Sequence, residues 1–584
     1  MSISTTIGEV TAAIPEDTSQ TITVIGYASS ATANTNYDFS SPGAIQTAIG
    51  DGSATWLAVL IAKTSKRLVK VLVPSTSGGS AGSVTETPSG TGPTVTLSGT
   101  PRYSFTAVKL KITKSGAGAV GKFKYAYDGT TYSEELDIPA PSQATLVGPL
   151  DLSSITLSTH NTTTLIMTAS VGGAQTITFT TPADVADVAV QANAQTTNMT
   201  WSIRSGKYLV CVDDVAGATS SLSLDATSTG DTLVGMSGTA AGADGTYALP
   251  HLGVTVTWPA TSDYVLDTVY SFATTAPNFS TSQISTALAA IRLAGEEPGV
   301  IVIANPGGDS YETNQYADQL ATECTTFNGL KVYPVTLVGC PPADTDATVK
   351  AAFVGHEDKD IMVTGGGIYA SGGGSDTGLA GSYLVPSSWY AAALMATYRY
   401  SSDIGNGEHA PITSLFSYIG PDGTTRVRDE RTASTALRSS GFAVLETRPG
   451  SSPIGPWFAV GYSRANAASK YRQHRVRRVA FRGVKLVQGQ LARMENRDFN
   501  VTAAGTLAVD AIAEIKRPIE RAIKIDMMDP TPSHLGGYQV SVDATEVVTS
   551  TDNLTVSVDL QPKGQAETIT LTVNAVDVLS GLED

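Results

Sequence analysis

The rhythm of apolar and polar positions changes three times along this chain, and each change predicts a different kind of element. Residues 1–20 are polar and strand-capable, the pattern of an extended arm. Thr21-Ile-Thr-Val-Ile-Gly-Tyr27 is a short apolar run of buried-strand type, followed by a turn and helix region over 41–64 and a strand over 67–73. Residues 76–93 hold Gly, Ser, Thr and Pro with almost no large apolar side chain, which is linker chemistry. From 94 to 275 strict alternation takes over. Val108-Lys-Leu-Lys-Ile-Thr113 and Thr176-Ile-Thr-Phe-Thr180 are two such strands, and Tyr127-Asp-Gly-Thr130 supplies an Asp-Gly turn. Only 182–194 shows a helical period there.

At Ala276 the period switches to alternating helix and strand. Ser280 and Gln283 have capping-box spacing, Ile284, Leu288 and Ile291 share one helical face, and Gly295 is placed to end the helix. A strand over 299–304 follows, then a helix with Tyr316, Leu320, Cys324 and Phe327 in register. Strands over 331–338 and 360–364, with a short helix over 348–354 between them, complete a β-α-β-α-β run and predict a mainly parallel sheet. Two more strands (441–448 and 456–462) precede a long helix over 467–493 and a second helix over 509–525 that contains Pro518. At the end Leu554, Val556, Val558 and Leu560 alternate with polar residues, as do Ile569, Leu571, Val573 and Ala575. The spacing predicts that these two runs form one hairpin.

The expected fold class is therefore α+β and multidomain. It comprises an α/β core with a mixed sheet and helices, one or more inserted β-rich domains of sandwich or barrel type, and a C-terminal β-hairpin. The expected divisions are an arm at 1–20, the first part of the core at 21–75, a linker at 76–93, inserted β domains at 94–275, an α/β domain at 276–440 and a C-terminal domain at 441–584. A length of 584 residues agrees with several domains. The three cysteines, Cys211, Cys324 and Cys340, form neither a disulfide framework nor a zinc spacing, and buried free thiols are expected. Met1–Val10 lacks the basic-then-apolar pattern of a signal peptide, and no run is long enough to span a membrane.

The chemistry of catalysis finds no foothold. Gly365-Gly-Gly367 and Gly372-Gly-Gly374 match no phosphate-loop pattern. His356-Glu-Asp358 has no second His at helical spacing, and His251, His409, His474 and His534 are isolated, so surface or satisfied histidines are expected. No catalytic residue, cofactor or metal is expected.

Charge is distinctive. The chain carries −16, yet 464–497 holds ten Lys or Arg against the single acid Glu495. On a helical wheel Val476, Val479, Ala480, Gly483, Val487, Leu491 and Met494 fall on one face, and Arg475, Arg478, Arg482 and Lys485 fall on another. Such a helix presents a solvated charged face, or binds nucleic acid or membrane, or docks on an acidic protein. The acidic remainder of the chain favours the last of these over nucleic acid.

The last third also resembles the contractile tail sheath family, above all sheaths of Mu-like and related myophages. Gly441-Phe-Ala-Val-Leu-Glu-Thr-Arg448 with Trp457-Phe-Ala-Val-Gly461 looks like that family's strand pair. Tyr471-Arg-Gln-His-Arg-Val-Arg-Arg-Val-Ala480 looks like the start of its long helix. The Val556–Val573 segment, with Pro562 between its strands, looks like its C-terminal strands. Leu249-Pro-His-Leu-Gly-Val-Thr-Val-Thr-Trp258, running on to Pro277, resembles the return from an inserted domain, and 94–248 matches in style only.

The resemblance implies a structural protein, not an enzyme. Its partners would be itself, as a helical homopolymer built from hexameric rings, a tail tube protein, and baseplate and terminator proteins, with neither nucleic acid nor membrane bound directly. It would reside in the virion tail, and in the host cytoplasm during assembly. Lys470, Arg472, Arg475, Arg478, Arg482 and Lys485 would meet the tube. Ile3, Ile7 and Val10 at one end and Ile569, Leu571, Val573 and Ala575 at the other would exchange strands with neighbours, while the inserted β domains face outward. A pyocin-like or type VI-like injection sheath fits the same pattern. An α/β enzyme or a β-rich adhesin fits it less well.

Overall fold

The computed structural model describes the chain apart from 1–20, 420–433, 447–454, 546–554 and 564–584, and shorter stretches at 66–67, 91, 117–119, 230–234, 261–262, 306–308, 331, 407–408, 470, 495–496 and 531–532. Two compact units emerge. One comprises 1–76, 279–376 and 382–584, and the other 77–278 with 377–381.

The first unit is built on an eight-stranded sheet. Six neighbouring strands run parallel, in the order Val69–Val73, Ile22–Ile25, Val300–Ile303, Val335–Gly339, Ile361–Gly365 and Ala443–Glu446. Antiparallel edges, Thr35–Phe39 and Trp457–Phe458, close the two sides. Every residue of Ile22–Ile25, Val300–Ile303 and Val335–Gly339 is buried, as continuous apolar runs require when helices cover both faces of a parallel sheet. On one face Ile25, Leu72, Ile301 and Ile303 pack with Ile284, Leu288 and Ile291 of helix Thr281–Leu293 and with Tyr316, Leu320 and Phe327 of helix Ser310–Gly329.

The capping box forms as the spacing predicts. The Ser280 hydroxyl accepts from Gln283 N–H, and the Gln283 side chain accepts from Ser280 N–H at 2.7 Å. Ser280→Ala is expected to lower stability by about 1 kcal/mol, read from a urea melt. Helix Ser388–Thr397 is buried along nearly its whole length. It has no amphipathic period, so the sequence pattern does not reveal it.

The last part of this unit is a three-element block. Helix Val509–Ile523 buries Ala511, Ile515, Ile519 and Ile523, a four-residue repeat, against the terminal hairpin and helix His474–Leu491. The hairpin differs from the expected one. Val556–Pro562 pairs with Leu535–Val542, from Val542↔Val556 to Leu535↔Pro562, so Pro562 ends a strand instead of lying in a turn. Leu535, Val540 and Val542 supply a buried face that the sequence reading did not assign to a strand.

The inserted unit is β-rich. Its span, 77–278, includes most of the expected linker: Ser80–Ala81 and Thr85–Thr87 pair with strand Val269–Thr275. Main-chain bonding there needs no apolar side chains, which is why composition misreads it. Val269–Thr275 also pairs with Phe105–Lys114, the outgoing strand, so the chain leaves and returns along one ladder. Between them lies a nested body with its own core of Leu165, Met167, Phe179, Trp201 and Cys211, among others. Its helix, Val185–Gln195, is capped by Asp184, which accepts from Asp187 N–H at 2.8 Å.

Candidate functional site

The basic segment folds as helix His474–Leu491. Its start is set by the preceding loop, where Ser463 N–H donates to the Arg472 carbonyl and His474 N–H to that of Gly461. The helix lies between two cores. Phe481 joins the sheet core, and Val479, Leu486 and Met494 join the core of the terminal block. A helix so enclosed has no free face for its charges, and the expected surface stripe does not exist. Arg475, Arg478 and Arg482 are 6%, 1% and 2% exposed.

Most of these cations instead meet groups from distant parts of the chain. Arg482 forms a fork with Asp526, its Nε and Nη2 donating to the two carboxylate oxygens at 2.8 and 2.7 Å. Arg477 pairs with Asp360 at 2.5 Å, donates to Asn328 Oδ1 at 2.9 Å, and its guanidinium lies 4.7 Å from the Tyr333 ring centre. Arg478 donates to the Met395 carbonyl at 3.2 Å. Lys485 pairs with Glu297. Arg475 donates from Nε to Gln473 Oε1 at 2.9 Å, and burial lowers its pKa. The assignment of Arg475, Arg478 and Arg482 to a tube-facing surface is therefore corrected, because these side chains are enclosed within this chain, whereas Lys485 is partly buried. Arg472 is half-buried and stacks on Tyr462, with 4.5 Å from guanidinium carbon to ring centre. Lys470 lies outside the described residues.

At the helix start sits a buried polar node. Asp403, 1% exposed, accepts from Gly405 N–H at 2.7 Å and Gly461 N–H at 2.9 Å through one oxygen. Its other oxygen is 3.7 Å from Nδ1 of His474, which is fully buried. Nδ1 lies 2.9 Å from the Gly461 carbonyl, so it carries the proton and donates there. Burial, with the nearby Arg478 and Arg475, lowers the His474 pKa to about 4 despite the raising effect of Asp403. Sequence reasoning passed over His474 as an isolated histidine. Its position at the first turn of an arginine-rich helix was the available signal.

The remaining candidate groups resolve simply. Cys211, Cys324 and Cys340 are free and buried, and burial pushes the thiols of Cys211 and Cys340 up to about 12. His356 bonds Asp318 through Nδ1 at 2.7 Å. Among the described residues no cluster of His, Cys, Asp or Glu could hold a metal ion, and no helix is long and apolar enough to cross a membrane. The strand-exchange candidates Ile3, Ile7, Val10, Ile569, Leu571, Val573 and Ala575 lie outside the described residues. What the structure does offer for strand addition is the terminal hairpin, a two-stranded sheet whose outer edges carry no further strand among the described residues.

No family model matches the chain, and no curated protein matches it. Solved structures do. A sheath tail protein of Listeria innocua is 12% identical with a TM-score of 0.37, covering 93% of this chain and 91% of that one. A sheath tail protein of Desulfitobacterium hafniense is 10% identical with a TM-score of 0.37, covering 93% and 96%. The contracted helical sheath of the anti-feeding prophage is 14% identical with a TM-score of 0.35, covering 52% and 78%.

Proposed function

We propose that this chain is a structural sheath subunit of a contractile tail, polymerising around a tail tube and working by rearrangement without catalysis. The observation that carries this reading is the terminal hairpin. A two-stranded sheet is marginal alone, and exposed edges invite pairing. Here the two strands are anchored by Leu535, Val540 and Val542 on one side only. A rigid block thus presents open main-chain edges for strands of neighbouring copies, a general mode of linked assembly. The strand-capable residues 3–10 and 569–575 are the proposed donors. The strand-pair, long-helix and C-terminal-strand motifs that resemble the sheath family fall within the same unit as this block, which supports the reading further.

The finer statement is a helical homopolymer of hexameric rings in a phage tail, joined to tube, baseplate and terminator proteins and driving genome delivery, with a pyocin-like or type VI-like sheath as the neighbouring reading. Tube docking then falls to surfaces other than the buried arginines. Contraction would use greater burial between copies, and the linking strands would persist through it.

Negative-stain microscopy tests the assembly. The purified chain is expected to form tubes or rings of uniform diameter. Deleting 1–20 together with 564–584 is expected to leave folded monomers with unchanged circular dichroism. Tubes of unchanged form from the doubly deleted chain would remove the strand-exchange assignment.

A further inference from the structure

A cleft of about 260 Å³ opens beside the start of the arginine-rich helix, lined by His356, Glu357, Gly441, Arg464, Asn466 and Arg472, among others. Its two arginines are in different states. Arg464 is committed: it donates to the carbonyls of Ser440, Phe353 and His356, and its guanidinium carbon sits 4.3 Å from the Phe442 ring centre. It forms a fixed wall. Arg472 has its flat face on Tyr462, and its guanidinium makes no hydrogen bond or ion pair with any described residue. A stacked guanidinium with an unused edge is pre-organised for an oxyanion that can accept two parallel N–H bonds. Asn466 adds to this. Its Oδ1 accepts from Ala468 N–H at 3.0 Å, which leaves its amide hydrogens available. Glu357 is the one acid among the described lining residues, and its charge acts on Arg464.

We infer that this cleft is a carboxylate socket and that its occupant is the acidic end of this same chain, residues 577–584. Charge complementarity selects that segment. Residues 564–584 contain Glu567, Asp577, Glu583 and Asp584 and no Lys or Arg. Reach permits it. The described chain stops just after the terminal hairpin, whose Leu560 rests against Gly483 of the helix that follows Arg472. From Arg472 to Gly483 is roughly 16 Å at helical rise. Residues 564–577 span up to ~45 Å when extended. A tail seated there would tether the segment next to the open-edged hairpin. The inference does not depend on the sheath reading, because the socket and its occupant are defined within one chain.

Cysteine cross-linking in the full chain tests it. Ala467→Cys, on the cleft wall, is combined with Leu582→Cys, which spares every tail carboxylate. The three native cysteines are buried and do not compete. Under mild oxidation at low ionic strength the pair is expected to form a disulfide about tenfold or more faster than Leu582→Cys paired with Leu293→Cys, a residue 91% exposed on another helix. Arg472→Gln is expected to bring the rate down to that control. So is the tail triple variant Asp577→Asn, Glu583→Gln, Asp584→Asn, which alters no described residue and so leaves the folded cleft intact. A product of monomer length means that the tail is the chain's own and supports the proposal, whereas a ladder means that it comes from a second copy and overturns the same-chain assignment. Cross-linking no faster than the control, or unchanged by the tail triple variant, overturns it. Tube formation is scored separately by microscopy, so loss of the sheath reading leaves this result standing.

Discussion

Arg482→Glu is expected to unfold the terminal block, where a surface arginine would tolerate the change. Arg482 and Asp526 are a forked pair with side chains 3% and 19% exposed. Removing one member of a buried pair leaves the other charge without compensation and costs about 3–5 kcal/mol. Reversal adds repulsion between two enclosed carboxylates. That loss is a large part of an ordinary domain's stability. The expected readout is a urea midpoint far below that of the parent chain, or protein recovered only as aggregate. Replacing both partners, Arg482→Met with Asp526→Leu, is expected to restore most of the loss, since an apolar pair of similar volume removes both desolvation costs. Arg472→Glu is the contrast. It is half-buried and pairs with no acid among the described residues, so its reversal is expected to change stability by less than about 1 kcal/mol. If Arg482→Glu melts like the parent chain, the helix is not held as described.

Where local pattern determines structure, the sequence was readable. Ile22–Ile25, the Ser280 capping box, Tyr316 through Phe327 and the β-α-β alternation all follow from contacts within a few residues, and they appear where expected. The arginine helix was readable as a helix but not as an environment. Hydrophobic periodicity treats an arginine face as a water face, and its counter-charges (Asp360, Asp526 and Glu297) come from elsewhere in the chain. The same limit explains the hairpin. Val556–Pro562 alternates correctly, but alternation does not say which partner wins, and Leu535–Val542 is interrupted by Gly536 and Gly537. Ser80–Ala81 and Thr85–Thr87 pair through main-chain bonds that composition cannot register. The sheath reading was thus reached from motif resemblance and survives the loss of its most specific surface. What remains legible of the candidate site is the strand-forming capacity of Val556–Leu560, together with the open edges that the structure adds to it.

Acid sensitivity centred on His474 is the second large effect expected. Its folded pKa is lowered to about 4 from the ordinary 6.5 by burial and by Arg478 and Arg475, with Asp403 opposing. Between those values the unfolded chain binds a proton at this residue and the folded chain does not. Stability therefore rises with pH across that window. Descending, the contribution is complete above about pH 6.5, falls progressively towards pH 4, and levels off once both states are protonated. A displacement of that size corresponds to roughly 3 kcal/mol. Asp403, the acid beside the ring among the described residues, is held through one oxygen by Gly405 and Gly461 N–H, and its other oxygen stands 3.7 Å from Nδ1, which already donates to the Gly461 carbonyl. Protonation would leave three cations, His474, Arg475 and Arg478, around that single carboxylate. Urea midpoints measured from pH 8 to pH 4 are expected to show this fall in the parent chain. In His474→Gln, which keeps an N–H donor for the Gly461 carbonyl, the part of the slope between pH 6.5 and 4 that belongs to the imidazole should disappear. The shared carboxylate titrations remain in both chains, so the difference between the two curves isolates the histidine. Parallel curves over the whole range would mean that folding leaves the His474 pKa unshifted, and a difference that instead opens above pH 6.5 and shrinks as pH rises would mean that His474 is protonated in the folded chain and paired with Asp403.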